Sequence, residues 1–201
     1  MKFVQLCNQI FAQAVVDYHK TDNVDTPIQN PYQPGTIEND LYLKNWIDVV
    51  QWHLEDIIRD PEINPVAALA LKRRIDRSNQ DRTDLVERID SYFWEQFQSV
   101  QPLQEARINT ESPAWAVDRL SILHVKIYHM QEQVDRRDVS EEQHRLCEHK
   151  LNVLNEQLAD LTASIGDLLD DYTAGRRVMK VYRQMKMYND PNLNPVLYGK
   201  K

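Results

Sequence analysis

Polar side chains interrupt the apolar faces of two predicted helices in the second quarter of the chain. His53 lies on the apolar face of one helix, and Ser78 and Arg82 lie on the apolar face of the next. A buried imidazole or guanidinium costs free energy unless a partner neutralises it or hydrogen-bonds to it. Because leucine, isoleucine and valine are plentiful in this chain, packing alone does not explain the polar residues. We therefore expect a functional site in this part of the sequence.

These residue types fit the recognition of a small polar or anionic ligand. Arg82 offers a planar fork of donors that matches a phosphate or a carboxylate, and Asn79 borders it on the helix. Asp56 follows His53 by three residues, a spacing at which its carboxylate can orient the imidazole. His124 occupies a similar apolar position on a later helix. We expect these five residues to form a polar cluster between the second, third and fourth helices that binds such a ligand or a protein partner.

The carboxylates of the third helix raise an alternative based on Mg²⁺. Glu87 and Asp90 have the ExxD spacing of all-helical nucleotide pyrophosphatases, and carboxylate oxygens are suitable ligands for this ion. On this hypothesis the protein is a Mg²⁺-dependent phosphohydrolase of a nucleotide or another phosphorylated metabolite, with His53 or Glu55 orienting the attacking water. The ExxE pair that those enzymes carry on a preceding helix is absent here. Whether the chain is an enzyme therefore stays open.

Two histidines that are predicted to face the core raise a second metal hypothesis. His53 and His124 would share a transition metal with Asp56, because imidazole nitrogens suit zinc and its neighbours in the periodic table. The HxxxH spacing that places two imidazoles of one helix on one metal does not occur in this sequence. The sequence leaves both metal hypotheses open.

Composition and charge limit the classes of protein to which the chain can belong. The 201 residues suit one domain, and the low glycine content favours helix. The net charge of −7 disfavours binding to nucleic acid. Cys7 and Cys147 fall on apolar faces, as expected for reduced cysteines, and no apolar run approaches the roughly 20 residues of a membrane span. We expect a cytoplasmic protein that binds neither nucleic acid nor membrane.

Hydrophobic periodicity, prolines and capping residues predict an all-α fold. The expected caps include Thr36 or Asn39 for the second helix, Asn64 for the third and Ser140 for the fifth. We expect an elongated antiparallel bundle of five long helices in a single domain over residues 1–201. A loop rich in Pro, Asn and Asp over residues 21–36 separates the first two helices. A shorter helix over about 177–188 and an extended tail over 189–201 complete the chain. The long helices are predicted at about 2–20, 36–59, 65–99, 113–137 and 140–175.

The fifth predicted helix has the clearest pattern in the chain. Its apolar residues recur in alternating steps of three and four from His144 to Tyr172, which is typical of the seam of a helical bundle or coiled coil. If the seam pairs with a second copy, the protein is a homodimer and a purely structural interaction module. Trp52, Trp94 and Trp115 fall on predicted exposed faces, where they would anchor a partner.

Three segments of the chain resemble a bacterial family that is known only as a domain of unknown function. These segments are KRRIDRSNQDRTDLVERID, then ESPAWAVDRLSIL with KIYHM, and then YRQMKMYNDPNLNP. The resemblance covers most of residues 40–198 and implies a helical, cytoplasmic bacterial protein. It also implies an association with cell-surface glycan synthesis. It transfers no activity, cofactor or catalytic residue.

Overall fold

The computed structural model describes residues 2–187 and 190–199 of the chain. Most of these residues are helical, and the predicted all-α fold class is confirmed. No helix in this part of the chain is long and apolar enough to cross a membrane. In chain order the elements are α1 (Lys2–His19), α2 (Ile37–Ile58), α3 (Pro65–Phe97), β1 (Arg107–Ile108), α4 (Pro113–Asp135), α5 (Glu141–Thr173), β2 (Arg177–Val178) and α6 (Pro195–Tyr198).

Helix α1 supplies one continuous apolar face of the hydrophobic core. It packs against α2, α4 and α5, while α2 also packs against α3 and α4. Burial of a large apolar side chain such as Phe11, which is fully buried, stabilises the fold by about 1.5–3 kcal/mol. The buried residues of this face are Val4, Cys7, Ile10, Phe11, Ala14, Val15 and Tyr18. The packing of α1, α2 and α4 against one another positions the side chains described below.

Predicted capping residues begin three of the helices. The side chains of Thr36 and Ser140 each accept a hydrogen bond, at 3.2 Å, from the backbone amide three residues later. Asn64 accepts bonds from the amides two and three residues later, at 2.9 and 3.3 Å. Each bond satisfies a donor that the first helical turn leaves unpaired. The side chain of Gln143 donates to Sγ of Cys147 at 3.7 Å, so it extends along α5 and not back to the cap.

The prediction of a short helix over 177–188 is wrong for residues 177–187, the part of this range that the structure describes. Gly175 has a φ of 70° after the end of α5, and the chain then turns into strand β2, which pairs in parallel with β1. The backbone amide of Leu103 donates to the carbonyl of Gly175 at 2.9 Å, and that of Arg107 donates to the carbonyl of Arg176 at 3.2 Å. The segment is extended because its backbone groups find partners in the connector before α4 and not in a helical turn.

Residues 189–201 were predicted to be an extended tail, but part of this segment forms the short helix α6. Asn194 accepts a hydrogen bond from the amide of Val196 at 2.9 Å, and Pro195 occupies the first position of α6. An Asn-Pro pair also begins α3. Near α6, however, the many other Pro and Asn residues make this pair hard to recognise as the start of a helix. Parts of both C-terminal predictions lie outside the described residues, namely Tyr188, Asn189, Lys200 and Lys201.

Replacing Gly175 by alanine is expected to destabilise the fold. The added Cβ would lie 2.7 Å from the backbone carbonyl oxygen of Gln101, and a φ of 70° is strained for a residue with a side chain. We expect the free energy of unfolding, measured by urea titration, to fall by about 1–3 kcal/mol.

Gly166→Ala is the matched control for this substitution. Gly166 lies inside α5, and no atom lies within 4 Å of the Cβ that alanine would add. Alanine is the better helix former, so we expect stability to stay the same or to rise by up to about 1 kcal/mol. An equal loss of stability at the two positions would contradict this account of the turn.

Candidate functional site

Four charged side chains meet in the core where α2, α3 and α4 pack together. We call Lys44 and Asp48 of α2, Arg82 of α3 and Asp118 of α4 the charge tetrad. Nζ of Lys44 lies 2.9 Å from Oδ1 of Asp118 and also pairs with Asp48. Nε of Arg82 lies 3.1 Å from Oδ1 of Asp48, and its Nη2 lies 2.7 Å from Oδ2 of Asp118. Two cations thus face two carboxylates.

Neighbouring polar groups add hydrogen bonds to the charge tetrad. Oγ of Ser121 donates to Oδ2 of Asp48 at 2.6 Å, and Nδ2 of Asn45 donates to Oγ of Ser121 at 3.0 Å. Burial acts to raise the pKa of Asp118, but the two cations of the tetrad outweigh it and hold that pKa below its usual value. The Asp118 carboxylate is therefore charged at neutral pH although it is almost fully buried.

The fork of Arg82, which is predicted to bind an anion, is occupied by protein carboxylates. Its Nε and Nη2 bond to Asp118 at 3.1 and 2.7 Å, and Asp48 makes a further contact. This guanidinium is half-buried, and its charge is paired with the two carboxylates. Helical periodicity does not identify Lys44 and Asp48, because both lie opposite the apolar arc of α2, on the face that the pattern assigns to solvent.

A cavity of about 350 Å³ opens beside the charge tetrad. Its lining includes Arg82 and Asp56, two of the predicted ligand-binding residues, and Glu55, one of the predicted catalytic candidates. Asn79 is linked to this lining because its Oδ1 accepts a hydrogen bond from Gln51 at 2.8 Å. The remaining lining residues are Asp48, Gln51, Trp52, Arg59, Ile122 and Val125.

His124 lies apart from this cavity. Its Nε2 is 2.9 Å from Oδ1 of Asn8, and its ring packs edge-on against Phe11, both on α1. Burial lowers the pKa of His124 to about 4. These contacts place His124 and His53 in different environments, so they give no support to the predicted metal site that the two would share with Asp56.

His53 lies in a group of three histidines that we call the histidine cluster. One ring nitrogen each from His19, His53 and His129 lies within 4.8 Å of the other two, although the residues come from α1, α2 and α4. Nε2 of His53 is 3.2 Å from Nε2 of His19 and 3.6 Å from Oδ1 of Asp22. Burial, and then the neighbouring His129, lowers the pKa of His53. Within the described part of the chain, this is the one group of three or more metal-ligating side chains that could share an ion.

Each imidazole of the histidine cluster is stacked on an aromatic ring. The stacked pairs, with their centroid distances and interplanar angles, are Tyr18–His53 (5.2 Å, 17°), Trp52–His129 (4.8 Å, 10°) and Tyr128–His19 (4.0 Å, 20°). Every stacking residue immediately precedes a different histidine of the cluster in the sequence. Three aromatic-histidine dipeptides therefore hold one another in a closed cycle, and such packing restricts the rotamers of the rings.

The sequence contains a signal for this cluster. Of the six histidines, the three in the cluster follow Tyr, Trp and Tyr, whereas the other three follow Leu, Gln and Glu. Helical periodicity could not identify His19 or His129, because their common environment arises from contacts between helices that are distant in the sequence. The repeated aromatic-histidine dipeptide is the local feature that distinguishes them.

The two residues that are predicted to hold Mg²⁺ are engaged by other groups or buried. Glu87 accepts hydrogen bonds from Nη1 of Arg183 at 2.8 Å and from the backbone amide of Gln184 at 3.0 Å. Asp90 is only 1% exposed, and burial raises the pKa of its carboxyl group. A raised pKa disfavours the charged form that a cation needs. These contacts give no support to a Mg²⁺ site at this pair.

The chain matches the model of a family whose function is unknown. The model of a family described as "Protein of unknown function (DUF4254)" matches residues 38–181. This stretch contains the charge tetrad, the lining of the cavity, His53 and His129, whereas His19 precedes it. No curated protein and no solved structure matches the chain.

Lys44→Met is expected to cost about 3–5 kcal/mol of unfolding free energy, because it leaves two buried carboxylates facing one guanidinium. Urea titration followed by circular dichroism measures the change. The double variant Lys44→Met/Asp48→Asn keeps the buried charges balanced, so we expect it to be more stable than the single variant. Lys72→Met removes an exposed ion pair with Asp76 and is the control, with no measurable change expected. A loss at Lys72 equal to that at Lys44 would argue against a buried tetrad.

His124 is expected to make the fold sensitive to acid. Its pKa is about 4 in the fold, below the ordinary value of 6.5, so below pH 6.5 the unfolded chain binds the proton more readily. Stability therefore falls as the pH drops from 6.5 towards 4. We expect this group to contribute about 2 kcal/mol to the difference in unfolding free energy between pH 7 and pH 5.

His124→Gln should reduce that pH-dependent difference, measured by urea titration at the two pH values. The exposed His149 is the control position, and His149→Gln should leave the difference as in the wild type. A wild-type difference that survives unchanged in His124→Gln would show that burial of this ring does not govern the acid sensitivity.

Proposed function

The chain belongs to the family described as "Protein of unknown function (DUF4254)", and from the geometry of the cavity we propose that it binds a small, positively charged polar ligand. The cavity lies between α2, α3 and α4, the three helices between which the sequence analysis expects a site. Its volume of about 350 Å³ falls in the range that is usual for small-molecule sites. The charges of its lining determine the class of ligand.

The main support for this proposal is that the cavity lining holds more carboxylate groups than positively charged groups that are free to pair with them. Asp48 and Arg82 are paired within the charge tetrad, so the available charges of the lining are the carboxylates of Glu55 and Asp56 and the one guanidinium of Arg59. The fork of Arg82 is occupied within the charge tetrad. Arg59 is 66% exposed and lies 3.6 Å from Glu55 and 3.8 Å from Asp56. An anion would therefore compete with protein carboxylates for each lining guanidinium, whereas a cation would find carboxylates in excess.

Apolar and aromatic groups complete the proposed site. Trp52 supplies an indole ring, and Ile122 and Val125 supply aliphatic surface. A cation held over the face of an indole gains about 0.5–2 kcal/mol. A primary amine or a guanidine on a short aliphatic stem matches this combination of carboxylates and apolar wall.

The alternative functions have less support from the contacts. A phosphohydrolase needs free oxygen ligands for Mg²⁺ and a cation for the phosphate, but Glu87 is bonded to Arg183 and Arg82 is bonded to Asp118. The seam on α5 packs against α4 and α1 of the same chain, so its apolar residues already have partners within one copy of the protein.

Calorimetric titration with matched four-carbon probes tests the proposed ligand class. We expect butylamine and butylguanidine to bind and butyrate not to bind, because only the first two carry a positive charge on the same stem. The double variant Glu55→Gln/Asp56→Asn should weaken binding of the cations at least about tenfold, which is 1.4 kcal/mol. Arg59→Gln should tighten it, because it removes a competing cation.

Asp84→Asn is the control for these variants. Asp84 is an exposed carboxylate of α3 outside the cavity lining, so its loss should leave binding unchanged. Tighter binding of butyrate than of the two cations would refute the proposed charge preference. Equal binding of the cations by wild type and by the Glu55→Gln/Asp56→Asn variant would show that the cavity is not their site.

A further inference from the structure

The histidine cluster has the composition of a metal centre and is separate from the lining of the ligand cavity. Imidazole nitrogen is the commonest protein ligand of transition metals, and three of them on a common centre are typical of zinc enzymes. We propose that His19, His53 and His129 together bind one transition-metal cation of the zinc class. None of the three lines the cavity described above, so this proposal does not depend on the proposed function.

The spacing of the three nitrogens suits one ion with small side-chain movements. Because they lie within 4.8 Å of one another, some point lies no more than about 2.8 Å from all three, whereas zinc–nitrogen bonds are about 2.0–2.1 Å. The separation of 3.2 Å between Nε2 of His19 and Nε2 of His53 already matches the edge of a zinc tetrahedron, about 3.3 Å. Only the third nitrogen has to move closer.

Hydrogen bonds determine which nitrogen of each ring carries a lone pair. Nδ1 of His19 lies 2.7 Å from the carbonyl oxygen of Val15, which can only accept, so this nitrogen is the donor. Nδ1 of His129 lies 2.8 Å from Oε2 of Glu132 and donates for the same reason. Each bond leaves Nε2 of its ring with a lone pair. In proteins, a histidine that binds a metal through one ring nitrogen usually donates a hydrogen bond from the other ring nitrogen to a carbonyl or a carboxylate.

A bound cation would satisfy two nitrogen atoms of the cluster. Nε2 of His129 is buried and has no hydrogen-bond partner within the described part of the chain. Nε2 of His53 faces the lone pair of His19, so it must hold a proton there. A cation at the centre would coordinate the first atom and replace the proton on the second, which moves to Nδ1 or to solvent.

The stacked aromatic rings and Asp22 add to the proposed centre. Each imidazole is packed against the residue that precedes another histidine of the cluster, so the three rings are held in place before a cation binds. Oδ1 of Asp22 lies 3.6 Å from Nε2 of His53 and places a negative charge beside the three rings, although it is not among the ligand atoms that lie within 4.8 Å of one another. Three imidazoles favour Zn²⁺, Co²⁺, Ni²⁺ or Cu²⁺ over Mg²⁺.

Titration of the chelator-treated, full-length protein with Zn²⁺ tests this proposal. We expect one ion to bind per chain, and Co²⁺ to give the intense visible absorption of a low-coordinate site. His19→Gln, His53→Gln and His129→Gln should each weaken Zn²⁺ binding about 100-fold or more, since each removes a ligand. Glu132→Gln should weaken it about 10–100-fold, as loss of a hydrogen bond to a metal-bound histidine does in other proteins. Asp22→Asn should also weaken it.

The controls separate the proposed centre from adventitious binding. His124→Gln removes a half-buried histidine outside the cluster, and His144→Gln/His149→Gln removes two histidines of α5. Both should bind Zn²⁺ as the wild type does. Because Asp22 and Glu132 are largely exposed, their variants should fold, as circular dichroism will verify. Absence of Zn²⁺ binding by the wild type, or binding that only the α5 variant abolishes, would overturn the proposal.

Discussion

The charge tetrad is the constraint on which the arrangement of α2, α3 and α4 depends. Removal of charged groups from water costs several kcal/mol per ion, and their pairing offsets that cost only at one register of the helices. Sliding one helix by a single residue, about 1.5 Å, would break contacts that are now 2.7–3.1 Å long. Because α2 and α4 also carry His53 and His129, the register that satisfies the tetrad is the one in which these two rings meet.

Trp52 borders both of the sites that we propose. Its ring stacks on His129, and it also lines the cavity that we assign to a small cationic ligand. The two sites nevertheless differ in their chemistry, because carboxylates dominate the cavity and imidazoles form the cluster. A ligand in the cavity would therefore be recognised by charge, and a cation in the cluster by coordination. Each proposal can fail without the other.

Local rules predicted the features that depend on neighbours in the sequence. The caps at Thr36, Asn64 and Ser140 follow from short-range hydrogen bonds, and all five long helices are present. Arg82 was predicted on an apolar helix face and is half-buried, but its partner Asp118 lies 36 residues away on another helix, which spacing cannot reveal. The prediction of a short helix after α5 was wrong for a related reason, because the backbone at the start of this segment bonds to the connector before α4, which is distant in the sequence. The histidine cluster was missed because three separate helices form it.

Anomalous X-ray scattering at the zinc edge, from crystals of the zinc-treated protein, is the most direct test of the central claim that three aromatic-histidine dipeptides form a cation site. The account predicts one strong peak at about 2.0–2.1 Å from a ring nitrogen of each of His19, His53 and His129. Ordered zinc at other side chains, with no peak among these three rings, would contradict it.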